Sequence, residues 1–382
     1  MQFSAILGHD AIKKRLIKSV TEQRTAHAQL FFGAEGSAAL PLALAYMQYV
    51  SCVDKNENDS CGKCVSCNKM QKFIHPDLHF SLPVNWEGPT DKLNTKSFLP
   101  QWRQLLTQNP YVGLDEWVDK IDIGNKQPFI SNYEVHEQIV SLNVTSYESE
   151  YKFLLMWLPE YMRTEGANSL LKTLEEPPDK TLIILVTQDY DRILKTILSR
   201  TQLIKIPPYS IEEASQVIHQ VTQQSKEKCD LAAGVAEGNI TQAKWLLENG
   251  DEAELQLNLF KEWMRACYSY NIVEQARISE NFAKQMREWQ KGFFAYALYM
   301  VRQTILLNHA AAINRVTDSE KSFLEKFSKF FNPGNYGTIS GFLNDASHHV
   351  ARNAYGKLLF FDTSLLISEV FRKERERATI AS

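Results

Sequence analysis

QLFFGAEGSAALPLALAYMQYV, residues 29–50, sets a short apolar run before a glycine-bearing turn and a long alanine-rich apolar run after it. Gln29-Leu30-Phe31-Phe32 reads as a short buried strand stopped by Gly33, Gly33 to Gly36 as a turn, and Leu40 to Val50 as a helix packed on that strand. Pro41 fits such a helix only in its first turn, where its missing N–H is not needed. Upstream, Ile6, Ile12, Leu16 and Val20 recur near a 3.6 period, so residues 1–28 read as helical. Downstream, Tyr151 to Leu158 (YKFLLMWL), Thr181 to Thr187 (TLIILVT) and Thr201 to Ile206 are further strand candidates. A helix over Thr164 to Leu174 puts Ala167, Leu170, Leu171 and Leu174 on one face and ends before Pro177-Pro178. Strand, helix and strand with short connections predict a parallel sheet covered by helices.

Pro207-Pro208 closes that pattern, and nearly everything after it reads as helix. Residues 211–249 form a small helical unit with Gly234 and Gly238 as stops; residues 251–372 form a longer one, interrupted at Asn332-Pro333-Gly334-Asn335. Residues 85–128, with the polar turn Asn85-Trp86-Glu87-Gly88-Pro89 and tryptophans at 86, 102 and 117, read as an irregular insertion. The expected class is α/β followed by all-α, with domains at 1–207, 208–250 and 251–382, as suits 382 residues. Lys plus Arg number 42 and Asp plus Glu 45, a net charge of −3, which argues against a polyanion binder with a large basic excess. No apolar run approaches the ~18 residues of a membrane span. Met1 to Val20 alternates charged and apolar residues and lacks the apolar core of a secretory signal, so a cytoplasmic chain is expected.

The strand, turn and helix of residues 29–50 also frame the phosphate loop G-x-x-x-x-G-K-[ST]. Here it reads Gly33-Ala34-Glu35-Gly36-Ser37-Ala38-Ala39-Leu40. Ala38 stands for the second glycine, Ala39 for the lysine and Leu40 for the hydroxyl residue. The lysine neutralises the β- and γ-phosphates and the hydroxyl ligates Mg²⁺; Ala39 and Leu40 can do neither. The companion acidic site is lost too. The candidate strand ends in Leu158-Pro159 where Asp or Asp-Glu is needed, with Glu160 the nearest acid and out of place. Two glycines alone are only a turn between a strand and a helix. Joint loss of both sites on an intact frame points to a P-loop fold that has abandoned hydrolysis.

Four of the six cysteines are spaced Cys52-x8-Cys61-x2-Cys64-x2-Cys67, while Cys229 and Cys267 stand apart. In a reducing compartment such clustering points to metal before disulfides. Two C-x-x-C turns share Cys64 and Cys52 closes the shell, a set that suits a closed structural Zn²⁺ site. An iron–sulfur cluster also takes four cysteines and is the alternative. The polar surroundings argue against unligated core cysteines. His75 is a possible substitute ligand, although His75-Pro76-Asp77 reads better as a turn cap. Glu175 and Glu176, adjacent on a helix, point in different directions, which argues against an acid–base dyad. The Trp and Tyr residues of 86–117 could stack on single-stranded DNA, but few Lys or Arg accompany them and packing is the better reading.

Taken in chain order, Ala26 to Gly33 (AHAQLFFG), the cysteine cluster, His75-Pro76-Asp77, Asn168 to Pro178 (NSLLKTLEEPP) and Ser199-Arg200-Thr201 resemble the AAA+ clamp-loader subunits of bacterial DNA polymerase III, the gamma/tau and delta-prime proteins. The NSLLKTLEEPP run is the most specific part. The resemblance covers residues 1–80 and about 128–250, reaches the C-terminal helices loosely through Arg352-Asn353-Ala354, and leaves 85–128 without a counterpart. It implies an AAA+ P-loop-type parallel sheet with helices on both faces, a zinc module at 52–67, a helical lid and a helical C-terminal collar for oligomerisation. Ala39, Leu158 and Pro159 stand where hydrolysing gamma/tau subunits need a lysine and acids. Gly238-Asn239-Ile240-Thr241-Gln242-Ala243, the sensor-2 region, carries no arginine for a γ-phosphate. The resemblance therefore implies the non-hydrolysing, delta-prime branch. It also implies that Arg200, in the family's S-R-C motif with Thr201 replacing cysteine, reaches a neighbour's ATP as a trans arginine finger; without that context Arg200 is a surface arginine before a strand. The implied partners are gamma/tau and delta, with the sliding clamp and primed DNA met through the complex, zinc as structural cofactor and no ATP turnover by this chain. The alternatives are a gamma/tau-like ATPase with a divergent P-loop and a zinc-containing DNA-binding module.

Overall fold

Five parallel strands, β1 (Ala28–Phe32), β2 (Leu78–Ser81), β3 (Lys152–Trp157), β4 (Thr181–Thr187) and β5 (Gln202–Lys205), form one sheet in the order β2-β3-β4-β1-β5. Ala28 lies opposite Ile183 and Lys152 opposite Thr181. The helices of this part are α1 (Asp10–Thr21), α2 (Ala39–Ser51), α3 (Val65–Gln71), α4 (Thr95–Gln108), α5 (Leu114–Ile121), α6 (Asn132–Asn143), α7 (Thr164–Glu175), α8 (Lys195–Leu198) and the start of α9 (Ile211–Thr222). The computed structural model describes residues 1–85, 94–123, 127–248, 251–309, 318–331, 333–351 and 354–381. The chain divides into two compact units, 1–217 with 238–241 and 218–237 with 242–382; the sheet belongs to the first.

β3 and β4 are buried along their whole length, as continuous apolar runs require when helices cover both faces. On one face Leu30, Leu154, Met156, Ile183 and Leu185 pack with Val135 and Leu142 of α6 and Ala167, Leu170 and Leu174 of α7. On the other, Phe31 meets Tyr46 of α2 with ring centroids 6.4 Å apart. All 13 residues of α2 are buried, the behaviour of a helix that is apolar on every side. Pro41 is the third residue of that helix, within the first turn. The turn after β1 lies outside the carboxyl end of the sheet, where open α/β folds place ligands.

Two local expectations are corrected. The helix expected over 1–28 spans only Asp10–Thr21, because Gly8 and His9 adopt positive φ (63° and 56°) and separate it from a 3-10 turn at Phe3–Ala5. The segment 85–128 is not irregular where it is described: it carries α4 and α5, and Val84 bridges Phe129 where the segment returns to the sheet domain. Asn94 caps α4 by accepting from Lys96 N–H at 3.1 Å. Phe98, Trp102, Leu105 and Leu106 form its buried face despite Pro100. Trp86 lies outside the described residues.

The second unit contains α10 (Lys226–Val235), most of α11 (Ile240–Glu248), α12 (Asp251–Tyr268), α13 (Ile272–Ala283), α14 (Arg287–His309), α15 (Asp318–Phe327), α16 (Pro333–Ala351) and α17 (Gly356–Ala381). Its core is aromatic: Trp263 lies 4.6 Å from Phe360 and donates its indole N–H to Ser364 Oγ at 2.7 Å. The helices are interrupted near the expected place: the chain is extended at Phe331, and Pro333, Gly334 and Asn335 open α16, with Pro333 at the first helical position. Asn332, Arg352 and Asn353 lie outside the described residues. Among the described residues no helix is long and apolar enough to cross a membrane.

Candidate functional site

The turn after β1 follows the path of a phosphate loop without its chemistry. Gly33 N–H donates to Thr187 O at 3.2 Å, tying the loop to the end of β4. Gly36 has φ +72°; a Cβ there would collide with the Asn239 side chain and lie 2.6 Å from Ile240 N, so glycine is required. Ile240 N–H in turn donates to Gly36 O at 3.3 Å. Ala38, Ala39 and Leu40 are buried and bring neither cation nor hydroxyl to the loop. The cavity bounded by Gly33, Gly36, Ala39, Tyr111 and Trp157, among others, measures about 20 Å³. One water needs at least ~10–15 Å³ on this measure, whereas small-molecule sites run to ~300–1,000 Å³.

Beyond the loop itself, the cavity is lined by Pro110, Tyr111 and Val112 of the segment between β2 and α6 and by Trp157, Val186 and Gln188 at the strand ends. Tyr111 and Val112 are buried; Tyr111 O accepts from Thr241 Oγ1 at 2.9 Å, and the Tyr111 and Tyr209 hydroxyls lie 2.9 Å apart. Trp157, the last residue of β3, packs 4.9 Å from Trp102, which meets Trp117 edge-on at 5.3 Å. Trp102 and Trp117 are both fully buried, so these rings are packing residues rather than a stacking surface.

Glu160, the displaced acid, is committed elsewhere. Its carboxylate accepts from Thr187 Oγ1 (2.9 Å), Gln188 N–H (2.9 Å) and Asp189 N–H (3.3 Å) at the end of β4. Burial raises its pKa, and these donors offset only part of that rise.

Arg200 sits between α8 and β5. Its guanidinium pairs with Glu175 at the end of α7 and donates to Thr196 O at 2.9 Å and Ser199 Oγ at 3.2 Å. The Arg200 side chain is 32 % exposed and that of Glu175 48 % exposed. Glu175 is thus an ion-pair partner, a role sequence reasoning missed; only the positive charge two elements away could have suggested it. The end of α7 is also fixed to β1's entry, because His27 Nε2 lies 2.9 Å from Leu174 O.

The cysteine cluster is assembled as its spacing predicts. The sulfurs of Cys52, Cys61, Cys64 and Cys67 all lie within 4.8 Å of one another, and Cys61 and Cys67 are 3.9 Å apart. A tetrahedron with ~2.3 Å metal–sulfur bonds has edges of ~3.8 Å. Backbone N–H groups already donate to three of the sulfurs: Cys61 to Cys52 (3.3 Å), Cys64 to Cys61 (3.3 Å) and Cys67 to Cys64 (3.4 Å). Such donors favour thiolate; those of Lys63 and Cys64 lower the Cys61 pKa to about 7, whereas burial pushes Cys52 and Cys67 up. Converging sulfurs, partly buried and supplied with N–H donors, fit a metal ion. Cys61 N–H and Asp59 flank the same loop, and Asp59 accepts from Phe3 N–H (3.0 Å) and Ser4 N–H (2.8 Å), stitching the cluster to the N-terminal turn. His75 is not in the ligand set. Its Nδ1 accepts from Asp77 N–H at 3.2 Å, and the Asp77 carboxylate accepts from the N–H groups of Tyr147, Glu148 and Ser149, a cap on the loop before β3.

A parallel P-loop-type sheet, a phosphate loop stripped of its cation and hydroxyl, and an appended four-cysteine cluster define an AAA+ type of core. The chain belongs to the family described as "DNA polymerase III, delta subunit", whose model matches residues 8–210. It is 28 % identical over 253 residues to the DNA polymerase III subunit delta' of Bacillus subtilis, covering 65 % of this chain and 62 % of that protein. It is 27 % identical over 195 residues to subunit delta' of Escherichia coli, covering 51 % and 46 %. It is 23 % identical over 201 residues to subunit gamma/tau of Mycoplasma pneumoniae, covering 53 % and 23 %. The matches thus span less than two thirds of each relative, and the family resemblance read from the sequence is borne out.

Proposed function

We propose that this chain is a delta-prime-like, non-hydrolysing subunit of the DNA polymerase III clamp loader. It would assemble with gamma/tau and delta subunits in the cytoplasm and help place the sliding clamp on primed DNA. Residues 208–250 serve as a helical lid and 251–382 as a helical collar in this reading. The observation that carries it is the loop after β1: Ala39 and Leu40 supply no phosphate chemistry, and about 20 Å³ of space remains there. Arg200, by contrast, is a partly exposed guanidinium held by a single carboxylate. Swung to a neighbouring subunit, it would neutralise charge developing on a transferring phosphoryl group, an effect worth ~10³–10⁵ in rate for trans arginines. Cys52, Cys61, Cys64 and Cys67 would hold one Zn²⁺ in a closed shell, which stabilises the fold and leaves no open position for catalysis. The test is twofold. The isolated chain should release no phosphate from ATP, and adding it to gamma/tau and delta should restore ATP turnover and clamp loading. Robust hydrolysis by the chain alone overturns the reading in favour of an active ATPase. Tight, salt-sensitive binding of duplex DNA by the chain alone favours a DNA-binding module instead.

A further inference from the structure

The segment between β2 and α6 has no role in the reading above, yet it supplies three of the side chains that close the phosphate loop. Pro110, Tyr111 and Val112 line the residual cavity together with Gly33, Gly36 and Ala39. We propose that Pro110–Val112 is a built-in plug that takes the place of a nucleotide's phosphates and ties the loop to the 238–241 turn.

Three observations carry this. The plug is rigidly held: Asn109 Oδ1 accepts from Tyr111 N–H at 3.0 Å, and Asn109, Tyr111 and Val112 are all buried. It is tied to the 238–241 turn and to the chain just before α9. Tyr111 O accepts from Thr241 Oγ1 at 2.9 Å, and the Tyr111 hydroxyl meets Tyr209. A Cβ on the next residue, Gly113, would lie 2.7 Å from Thr241 Cγ2 and 3.1 Å from Glu35 Oε1, so the segment runs in close contact with both the loop and the turn. The plug is also backed from behind, since Trp157 beside it is pinned by Trp102 and, through it, Trp117. Loss of the lysine is therefore not what keeps this loop closed; the space itself is occupied. The device rests on the non-hydrolysing reading but makes a separate demand: restoring the motif alone should not restore nucleotide binding.

The experiment compares ATP–Mg²⁺ uptake by equilibrium dialysis with amide hydrogen exchange of peptides covering residues 33–40 and 238–241. The wild-type chain should take up no ATP, and its exchange should not change when ATP is added. A chain repaired at the motif (Ala38→Gly, Ala39→Lys, Leu40→Thr) should still take up none. The same repair combined with Tyr111→Gly and Val112→Gly should bind ATP. Tyr111→Ala in the otherwise native chain should speed exchange of both peptides at least tenfold, an outcome that needs no engineered site. ATP binding by the wild type would overturn the plug and leave the non-hydrolysing reading, which hydrolysis by the chain overturns, in place. ATP binding by the repaired chain with its plug intact would overturn the plug alone. So would native exchange in Tyr111→Ala, or a folded, repaired and trimmed chain that still takes up no ATP.

Discussion

Arg200→Ala separates a structural arginine from one that acts on a neighbour, because the two roles differ by orders of magnitude. Within this chain the substitution removes the Glu175 pair and two hydrogen bonds from the guanidinium to neutral acceptors. Both charged side chains are a third to a half exposed, so solvent screening holds the pair to ~0–1 kcal/mol. For a unit of this size that is a melting shift of at most ~4 °C. In the assembly a trans arginine contributes ~10³–10⁵ in rate, or ~4–7 kcal/mol of barrier at ~1.4 kcal/mol per decade. The variant should therefore fold, assemble with gamma/tau and delta, and depress turnover at the ATP site it faces by at least ~10³. Thermal unfolding and sedimentation of the assembly measure the first two; ATPase and clamp-loading rates measure the third. Glu175→Gln is the companion: it frees the guanidinium, costs equally little stability and should leave turnover at least at its wild-type value. Unchanged ATPase and clamp loading in an intact Arg200→Ala assembly would refute the finger. A melting shift well beyond ~4 °C would instead show that the arginine holds up the fold.

Elemental analysis after native purification should find about one zinc per chain, the stoichiometry of a closed four-thiolate shell, and Cys64→Ser should lose it. A metal-free protein would remove the claim, and a visible-absorbing iron protein would replace it with the cluster alternative. Glu160 has its pKa raised by burial, so its charged form costs stability that is absent below the unfolded carboxyl value and grows as pH rises toward the folded value. Urea midpoints of Glu160→Gln should gain on wild type as pH rises above the ordinary carboxyl value; a gap that does not change with pH contradicts this. Trp102→Ala removes a fully buried ring that contacts Phe80, Trp117 and Trp157, and should cost ~3–5 kcal/mol in urea unfolding. A cost below ~1 kcal/mol would mean the tryptophan cluster does not back the phosphate loop.

Four of the five strands were legible, β3 and β4 most plainly because they have nothing else to be, whereas β2, Leu78–Ser81 (LHFS), is short and half polar and does not read as a strand. LIILV and FLLM are continuous apolar runs too short for a helix of their own, and both prove buried from end to end. The cysteine cluster was legible because turn geometry, not the rest of the fold, brings C-x-x-C sulfurs together. Periodicity failed at Gly8-His9, where apolar spacing continues across a left-handed backbone that breaks the helix. It also failed in α4, for the opposite reason. Phe98, Trp102, Leu105 and Leu106 do recur at helical spacing, and Asn94 caps them, around a proline at position 100 inside the helix. A proline inside a helix costs ~3 kcal/mol or more; burying four large apolar side chains at ~1.5–3 kcal/mol each outweighs it.

What stayed hidden is of one physical kind: contacts between elements distant in sequence. Arg200 and Glu175 each stand out in the chain, one before a strand and one at a helix end, yet only the packing of α7 beside α8 makes them a pair. Tyr111 carries no local signal at all, since its meaning comes from Tyr209, Thr241 and the cavity at Gly36. Fold and phosphate chemistry are separable for the same reason. The sheet draws its stability from buried strands and from α2, and none of that burial depends on a lysine at position 39 or a hydroxyl at position 40. If such a frame no longer needs a nucleotide, as proposed, a neighbouring segment that can bury a tyrosine and a valine beside the loop would gain the apolar transfer energy of doing so. Loss of the motif and growth of a plug are therefore expected to occur together. A chain of this family with an intact lysine should leave the space beside its Gly36 equivalent open.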